Sequence, residues 1–407
     1  MKKTVLKNYA KLIVTMGLNV QKGQEVVIRA ELDQPEFVKY IVEECYRAGA
    51  KKVIVDWNYQ PLTKLHVRHQ NLKTLSTIEK WEEERMIHQA ETLPCELYLM
   101  SEDPDGLSGV NQEKMAKARQ AKYPIIKPYK DAAENKRQWC IAAVPGAAWA
   151  KKVFPGVPKN TGVELLWKAI LYAARAEEDP ISAWKQHNAD LTRRCEYLNG
   201  LGLKTLEYKA ANGTDLKVGL IEDAVFLGAN EKSLQGIDFN ANIPSEEVFT
   251  SPKRGEAEGI VYASKPLSYQ GQLIEDFWIR FADGRAVEVH AEKNEELLKK
   301  LISMDESAAY LGECALVPCD SPISNLGITF YNTLFDENAA CHLALGMGFT
   351  SCIKEYERYT LTECREKGIN DSIIHEDFMI GTEDLSIVGV TKDGRRIQIF
   401  ENGNWAF

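Results

Sequence analysis

No apolar run in this 407-residue chain reaches 18 residues, so no segment reads as a transmembrane helix. Basic charge is not in surplus. Lys and Arg number 50 against 59 Asp and Glu, a net charge of −9, which argues against a nucleic-acid backbone as partner. There is no C-x-x-C pair. The nine cysteines are odd in number and scattered from Cys45 to Cys364, the closest pair being Cys314 and Cys319. They read as reduced, mostly buried thiols in a cytoplasmic setting rather than as a disulfide framework. The opening MKKTVLKNYAKLIV places Lys7 and Lys11 where a signal peptide needs an apolar stretch. Leu6, Tyr9, Ile13 and Val14 instead share one face of an amphipathic helix. The G-x-S-x-G elbow, the H-E-x-x-H zinc motif and the Walker loop are all missing, and GMGFTS at 346–351 lacks the third glycine of a dinucleotide fingerprint. Cys341 directly precedes His342, but a nucleophile and its base meet in space, not in sequence.

What is present is an ordinary globular balance, 44% apolar and 27% charged, in a chain long enough for two or three domains at roughly 150 residues each. The first half alternates. EVVIRA (25–30), KKVIVDW (51–57), CELYLM (95–100) and WCIAAV (139–144) read as buried strands, with helical spacing in PEFVKYIVEECYRAGA and around 76–90 and 112–121. Strands separated by helices imply a parallel sheet. VPGAAWAKKVFPGVP (144–158) reads as a long loop, and two helices follow it, the second with Asp179 as cap and Pro180 in its first turn. Beyond about residue 195 the pattern changes. Asn212-Gly213, Asp283-Gly284, Asp393-Gly394 and Asn402-Gly403 each lie between β-type runs and signal hairpins. The expected architecture is an α/β N-terminal domain with a largely parallel sheet, residues 1–190, and an α+β, hairpin-rich C-terminal domain, residues 191–407.

Chemistry-bearing residues concentrate in the second half. In SIIHEDFMIG, a spacing of two puts His375 and Asp377 on one strand face and Glu376 on the other. An imidazole beside a carboxylate suits a borderline divalent metal. LFDENAACHLALGMG offers Glu337 and His342 in a loop, and LGECALVP offers Glu313 just before an apolar strand. Any one of these taken alone reads as an ordinary packed histidine or solvated carboxylate. Their grouping in one domain, at element ends beside small or apolar residues, is what points to a site. NANIPSEEVF (240–249) adds two adjacent carboxylates, Glu246 and Glu247, after a proline turn. In an extended chain neighbours face opposite ways, so the two are suited to different jobs.

The motifs NIPSEEVFTSP, GECALVP, DENAACHLALG and IHEDFMIGTEDLSI together resemble the aminopeptidase T, aminopeptidase S and PepS family of metallo-aminopeptidases, with the specific motifs between 242 and 388. The resemblance implies a cytoplasmic homodimeric exopeptidase acting on peptides with a free N-terminus. It implies two divalent ions held by Glu247, Glu313, Glu337, His342, His375 and Asp377. Four carboxylates and two imidazoles can hold two ions if one carboxylate bridges, and Glu313 is taken as that bridge. Oxygen and nitrogen donors without thiolate favour Zn²⁺, Co²⁺ or Mn²⁺, with Mg²⁺ also admissible. A base that is not itself saturated by metal is then needed to take a proton from water, and Glu246 is assigned that role. One position departs from the resemblance. The family commonly carries a tyrosine seven residues after the loop histidine, suited to an oxyanion; here that position is Phe349, and Tyr356 and Tyr359 are the nearby alternatives. Two competing readings are a metal-dependent hydrolase of another small amide and a non-catalytic metal-binding protein.

Overall fold

A computed structural model of the protein describes all residues from Met1 to Phe407. The chain divides into two compact units, Met1–His187 with Asn230–Ser245, and Asn188–Ala229 with Glu246–Phe407. The first division falls inside the helix Pro180–Leu201.

The first unit is built on a five-stranded parallel sheet. Its core strands are Glu25–Glu31, Lys52–Asn58, Cys95–Met100 and Trp139–Ala143, and the two-residue strand Asn242–Ile243 joins the edge at Ile141 and Ala142. These apolar runs pair because alternate side chains, such as Val26, Ile28 and Ala30, are removed from water. Helix Pro35–Ala48 starts on a proline and stops at Gly49, whose φ of 99° closes the helix in the left-handed region. The N-terminal helix Lys3–Leu12 buries Tyr9, Ala10 and Leu12, and the following turn buries Ile13 and Val14. Asp179 caps Pro180–Leu201 by accepting from the Ser182 N–H at 3.3 Å. No helix is long and apolar enough to cross a membrane.

Two expectations need correction here. The segment 144–158 is not all loop. Ala147–Val153 is a helix, because the Ala-Ala-Trp-Ala run favours one and Trp149 is fully buried. The helix expected near 112–121 runs on to Ala133 through Pro124 and Pro128, and both prolines sit on its exposed side.

The second unit contains two antiparallel sheets. The larger has nine strands, and four of its hairpins fall at the Asn-Gly and Asp-Gly pairs, with a further one at Gln270-Gly271. Leu203–Lys209 pairs with Asp215–Leu220 across Asn212-Gly213. Gln272–Ala282 pairs with Arg285–Lys293, Ser386–Thr391 with Arg396–Glu401, and Arg396–Glu401 with Asn404–Trp405. At the second turn Asp283 has φ 49° and Gly284 φ 75°, the two positive values a two-residue hairpin requires. The smaller sheet has five strands in the order His375–Met379, His342–Gly346, Leu311–Leu316, Val248–Thr250, Leu227–Gly228. All nine cysteines are free and all but Cys319 are buried.

Gly284 is constrained twice, by its positive φ and by space, since a Cβ there would stand 2.2 Å from Gly255 Cα. Gly284→Ala should therefore destabilise by about 2 kcal/mol or more, read as a lower thermal midpoint. An unchanged midpoint would show that the two chain segments part easily.

Candidate metal centre

The five-stranded sheet explains how distant motifs reach one place. Register sets Glu313 opposite Ala344 and Ala344 opposite Asp377, so the three form one row across three strands. The next rows pair Ala315 with His342, and Gly346 with His375. Acids and imidazoles thus alternate with Ala315, Ala344 and Gly346, whose small side chains leave room above that face. The opposite face carries Cys314, Leu343 and Phe378 in register, all buried, and supplies the apolar packing that holds the strands together. Glu376 pairs with Leu345 and so falls on the face away from His375 and Asp377.

Two groups of donors result. Glu247, Glu313 and His342 form one, and Glu313, His375 and Asp377 the other, with the donor atoms of each within 4.8 Å of one another. Glu313 belongs to both. His342 Nε2 lies 3.2 Å from Glu247 Oε2, and His375 Nε2 lies 3.1 Å from Glu313 Oε2 and 3.3 Å from Asp377 Oδ1. Each imidazole is oriented from behind. His342 Nδ1 donates to the Ala340 carbonyl at 3.2 Å and His375 Nδ1 to the Met347 carbonyl at 2.7 Å. That leaves each Nε2 aimed at the carboxylates, the arrangement found in metal-binding histidines.

Glu337 stands in a single tight turn, Glu337–Ala339, is buried, and acts electrostatically on Asp377, Glu247 and Glu313. It completes the cluster without belonging to either triad. Glu246 is also buried and also lies outside both triads. Of the adjacent pair, only Glu247 reaches His342. Glu313 is not placed before its strand, as its position in LGECALVP suggests, but inside Leu311–Leu316. His342 opens a strand rather than sitting in a loop. The apolar run that hides Glu313 is the same run that carries it into the sheet.

Burial sets the electrostatics. It pushes Glu313 up to about 7, helped by the charges of Glu247 and Asp377 and opposed by His375. Burial likewise drives Glu337 well above the carboxylate range, with Asp377 and Glu247 adding to the shift. For the histidines burial works the other way, yet Glu247 carries His342 up to about 10, and Asp377 and Glu313 carry His375 well above the ordinary imidazole value. Asp377 stays low against its burial because of His375. Protons on the imidazoles are therefore what offset the buried carboxylate charge when no cation does.

The donor set fits a divalent cation. It offers oxygen and neutral-imidazole ligands without thiolate, each triad within one ion's reach and all but the half-buried His375 out of water. Asp377 Oδ1 is buried with no hydrogen bond of good geometry, although His375 Nε2 stands 3.3 Å away. Such an atom is accounted for by an ion.

One residue that sequence reasoning overlooked ties the site together. Asn338, fully buried, accepts from the Glu246 N–H at 2.7 Å and donates to the Leu334 carbonyl at 2.9 Å and to Glu337 Oε1 at 3.3 Å. Its signal was the DENAAC run, where an amide follows the acid directly. Phe349 packs against His375 at 5.0 Å between ring centroids and against Phe249 at 5.5 Å. Tyr356 and Tyr359 pack elsewhere, against Ile221, Ile353, Cys364 and Ile369.

Comparison with known proteins defines the class. The model of the thermophilic metalloprotease family, M29, matches residues 2–405. The chain belongs to that family and is a metal-dependent peptide hydrolase. Among its relatives, aminopeptidase AmpS of Bacillus subtilis is 41% identical over 404 residues, covering 99% of this chain and 98% of the relative. Aminopeptidase 2 of Geobacillus stearothermophilus is 40% identical with the same coverage. The solved structure of wild-type AmpT from Thermus thermophilus matches with a TM-score of 0.89 at 38% identity over 100% of both chains. The two-part α/β and α+β architecture agrees with that match.

Cation binding must expel protons, because a protonated imidazole cannot ligate. His342 is held protonated up to about 10 and Glu313 up to about 7. Affinity should thus rise with pH from about 7 towards 10, and loading metal-free protein with Zn²⁺ at pH 7.5 should release protons. Calorimetry in buffers of different ionisation enthalpy measures this. Zero release would show that the imidazoles are already neutral.

Proposed function

We propose that the protein is an aminopeptidase that releases N-terminal amino acids from peptides, using water activated at a pair of divalent ions. The observation that carries the reading is Glu313, the one carboxylate common to both donor triads. On this reading Glu247, Glu313 and His342 hold one ion, Glu313, His375 and Asp377 hold the other, and Glu337 adds a further carboxylate. Relatives named as aminopeptidases along nearly the whole chain support a substrate with a free N-terminus.

The ions, when bound, polarise the scissile carbonyl and acidify water. The chain's own residues supply the rest. The Ala340 and Met347 carbonyls fix the tautomers of His342 and His375. Glu246 accepts a proton from the attacking water and passes it to the departing amine. Asn338 holds the backbone of Glu246 and the carboxylate of Glu337 at once, which sets the spacing between base and cluster. Phe349 has no hydroxyl to offer an oxyanion, so its part is to cover His375. We assign the peptidase chemistry to residues 191–407 and the α/β fold to residues 1–190, with Asn230–Ser245 packed in the α/β unit. Zn²⁺, Co²⁺ or Mn²⁺ as the ions, and a cytoplasmic homodimer, complete the proposal on the strength of the family resemblance.

Release of free leucine from a leucyl dipeptide tests the function. The account expects activity that a chelator abolishes and Co²⁺ or Zn²⁺ restores, with N-acetylated peptides inert. Internal cleavage of a long peptide at a comparable rate would overturn it. Chelation should also lower the thermal midpoint, since ions that bind only the folded state stabilise it by mass action; a melting curve unmoved by verified metal removal would contradict this.

Glu246 and Glu247 should separate cleanly. Glu246→Gln should keep full metal content and near-normal stability while kcat falls about 10²–10⁴-fold. Glu247→Gln should lose metal occupancy, and activity with it. Metal analysis beside steady-state kinetics decides the matter, and the opposite pattern would exchange the two roles.

A further inference from the structure

Residues 244–247 lie between the strands Asn242–Ile243 and Val248–Thr250 and outside both, so a strand ladder does not account for the polar groups of their main chain. At the Ser245–Glu246 bond, side chains take both sides of one peptide. The Ser245 carbonyl accepts from His187 Nε2 at 2.7 Å, and the Glu246 N–H donates to Asn338 Oδ1 at 2.7 Å. The bond is trans, so its carbonyl and its N–H leave a single rigid plate in opposite directions. Hydrogen bonds at opposite edges of that plate keep it from turning. His187, Ser245, Glu246 and Asn338 are all buried, so losing either side-chain partner leaves a main-chain group that water does not readily reach.

His187 is itself held. It lies on the helix Pro180–Leu201, one turn beyond Trp184, and the two rings meet edge to face at 5.6 Å between centroids. Trp184 is fully buried and donates from Nε1 to the Ala174 carbonyl at 2.7 Å. An imidazole already fixed by packing loses little rotational freedom when it donates. The two contacts fall in different compact units. His187 and Ser245 end the two segments of the first unit, Met1–His187 and Asn230–Ser245, whereas Glu246 and Asn338 belong to the second. The covalent chain is what joins them.

We infer that His187 is a positioning residue for Glu246: through the Ser245 carbonyl it fixes the peptide from which the base projects, while Asn338 fixes the opposite edge. The inference rests on the reading of Glu246 as the base. His187 belongs to neither donor triad, so its effect passes through Glu246 and not through an ion. Turning the plate swings the Glu246 carboxylate away from the water it deprotonates, and a displacement of about 1 Å at a reacting group costs on the order of 10²-fold in rate.

Steady-state kinetics and metal analysis on the full-length, metal-loaded protein test this, with a leucyl dipeptide as substrate. His187→Phe keeps a ring against Trp184 and removes the donor. Its kcat should fall about 10–10²-fold, while KM and metal content stay at the wild-type values. His187→Met also lacks a donor but fills the space flexibly, and should show the same loss. His187→Gln keeps an N–H and should recover most of the rate. In a Glu246→Gln background, His187→Phe should change kcat by less than about twofold, because two residues acting through one group are not additive. A full additional loss in that background, or loss of metal from His187→Phe alone, would make His187 a structural support and overturn the inference. Unchanged kcat in His187→Phe and His187→Met, or no recovery in His187→Gln, would overturn it too. Failure of the base assignment is seen separately, as a Glu246→Gln variant that keeps its rate, and would remove the inference with it.

Discussion

Glu313 and the carboxylates around it are the constraint on which the second unit depends. Glu313 and Asp377 are buried within one small sheet, and Glu247 and Glu337 are buried beside it. Removing such groups from water is costly unless opposite charge and hydrogen bonds meet them. His342 and His375 provide part of that charge, and Asp377 Oδ1 remains without a well-formed hydrogen bond. The sheet therefore carries a local instability that a cation relieves. Strand order, small residues at Ala315, Ala344 and Gly346, and the apolar reverse face all serve to hold this cluster in a fixed geometry. Breaking a buried charge group by removing one partner is typically costly, so stability and function here rest on the same atoms.

The backing of the site is as specific as its donors. Main-chain carbonyls of Ala340 and Met347 orient the imidazoles, and Asn338 joins Glu246 to Glu337. Gly312 gives a measure of how tight this is. A Cβ there would stand 2.1 Å from the Met347 carbonyl that orients His375. A side chain on one strand would thus disturb a ligand on another through a single backbone oxygen.

Much of the fold was legible because it is written in local rules. Asp283-Gly284 and Asn402-Gly403 mark hairpins, since both positions need positive φ. The strands of the parallel sheet are short apolar runs, β-branched in the first two, and their ends were placed within a residue or two. Pairing across the sheet was not legible. That Glu313 and Asp377 flank Ala344 depends on register between segments some 30 residues apart in sequence, and no local pattern encodes it. The donor residues were reached through spacing and family resemblance instead. Helix Ala147–Val153 was hidden by the prolines and glycines around it. Asn338 was hidden because an amide in a turn reads as solvent-facing until its burial is known.

Metal stoichiometry tests the central claim, that Glu313 serves two ions at once. Elemental analysis of wild-type protein, loaded with Zn²⁺ and freed of excess, should give two ions per chain, and Glu313→Gln should retain fewer than one while still folding. A single ion in the wild type, or two ions retained by Glu313→Gln, would contradict the account.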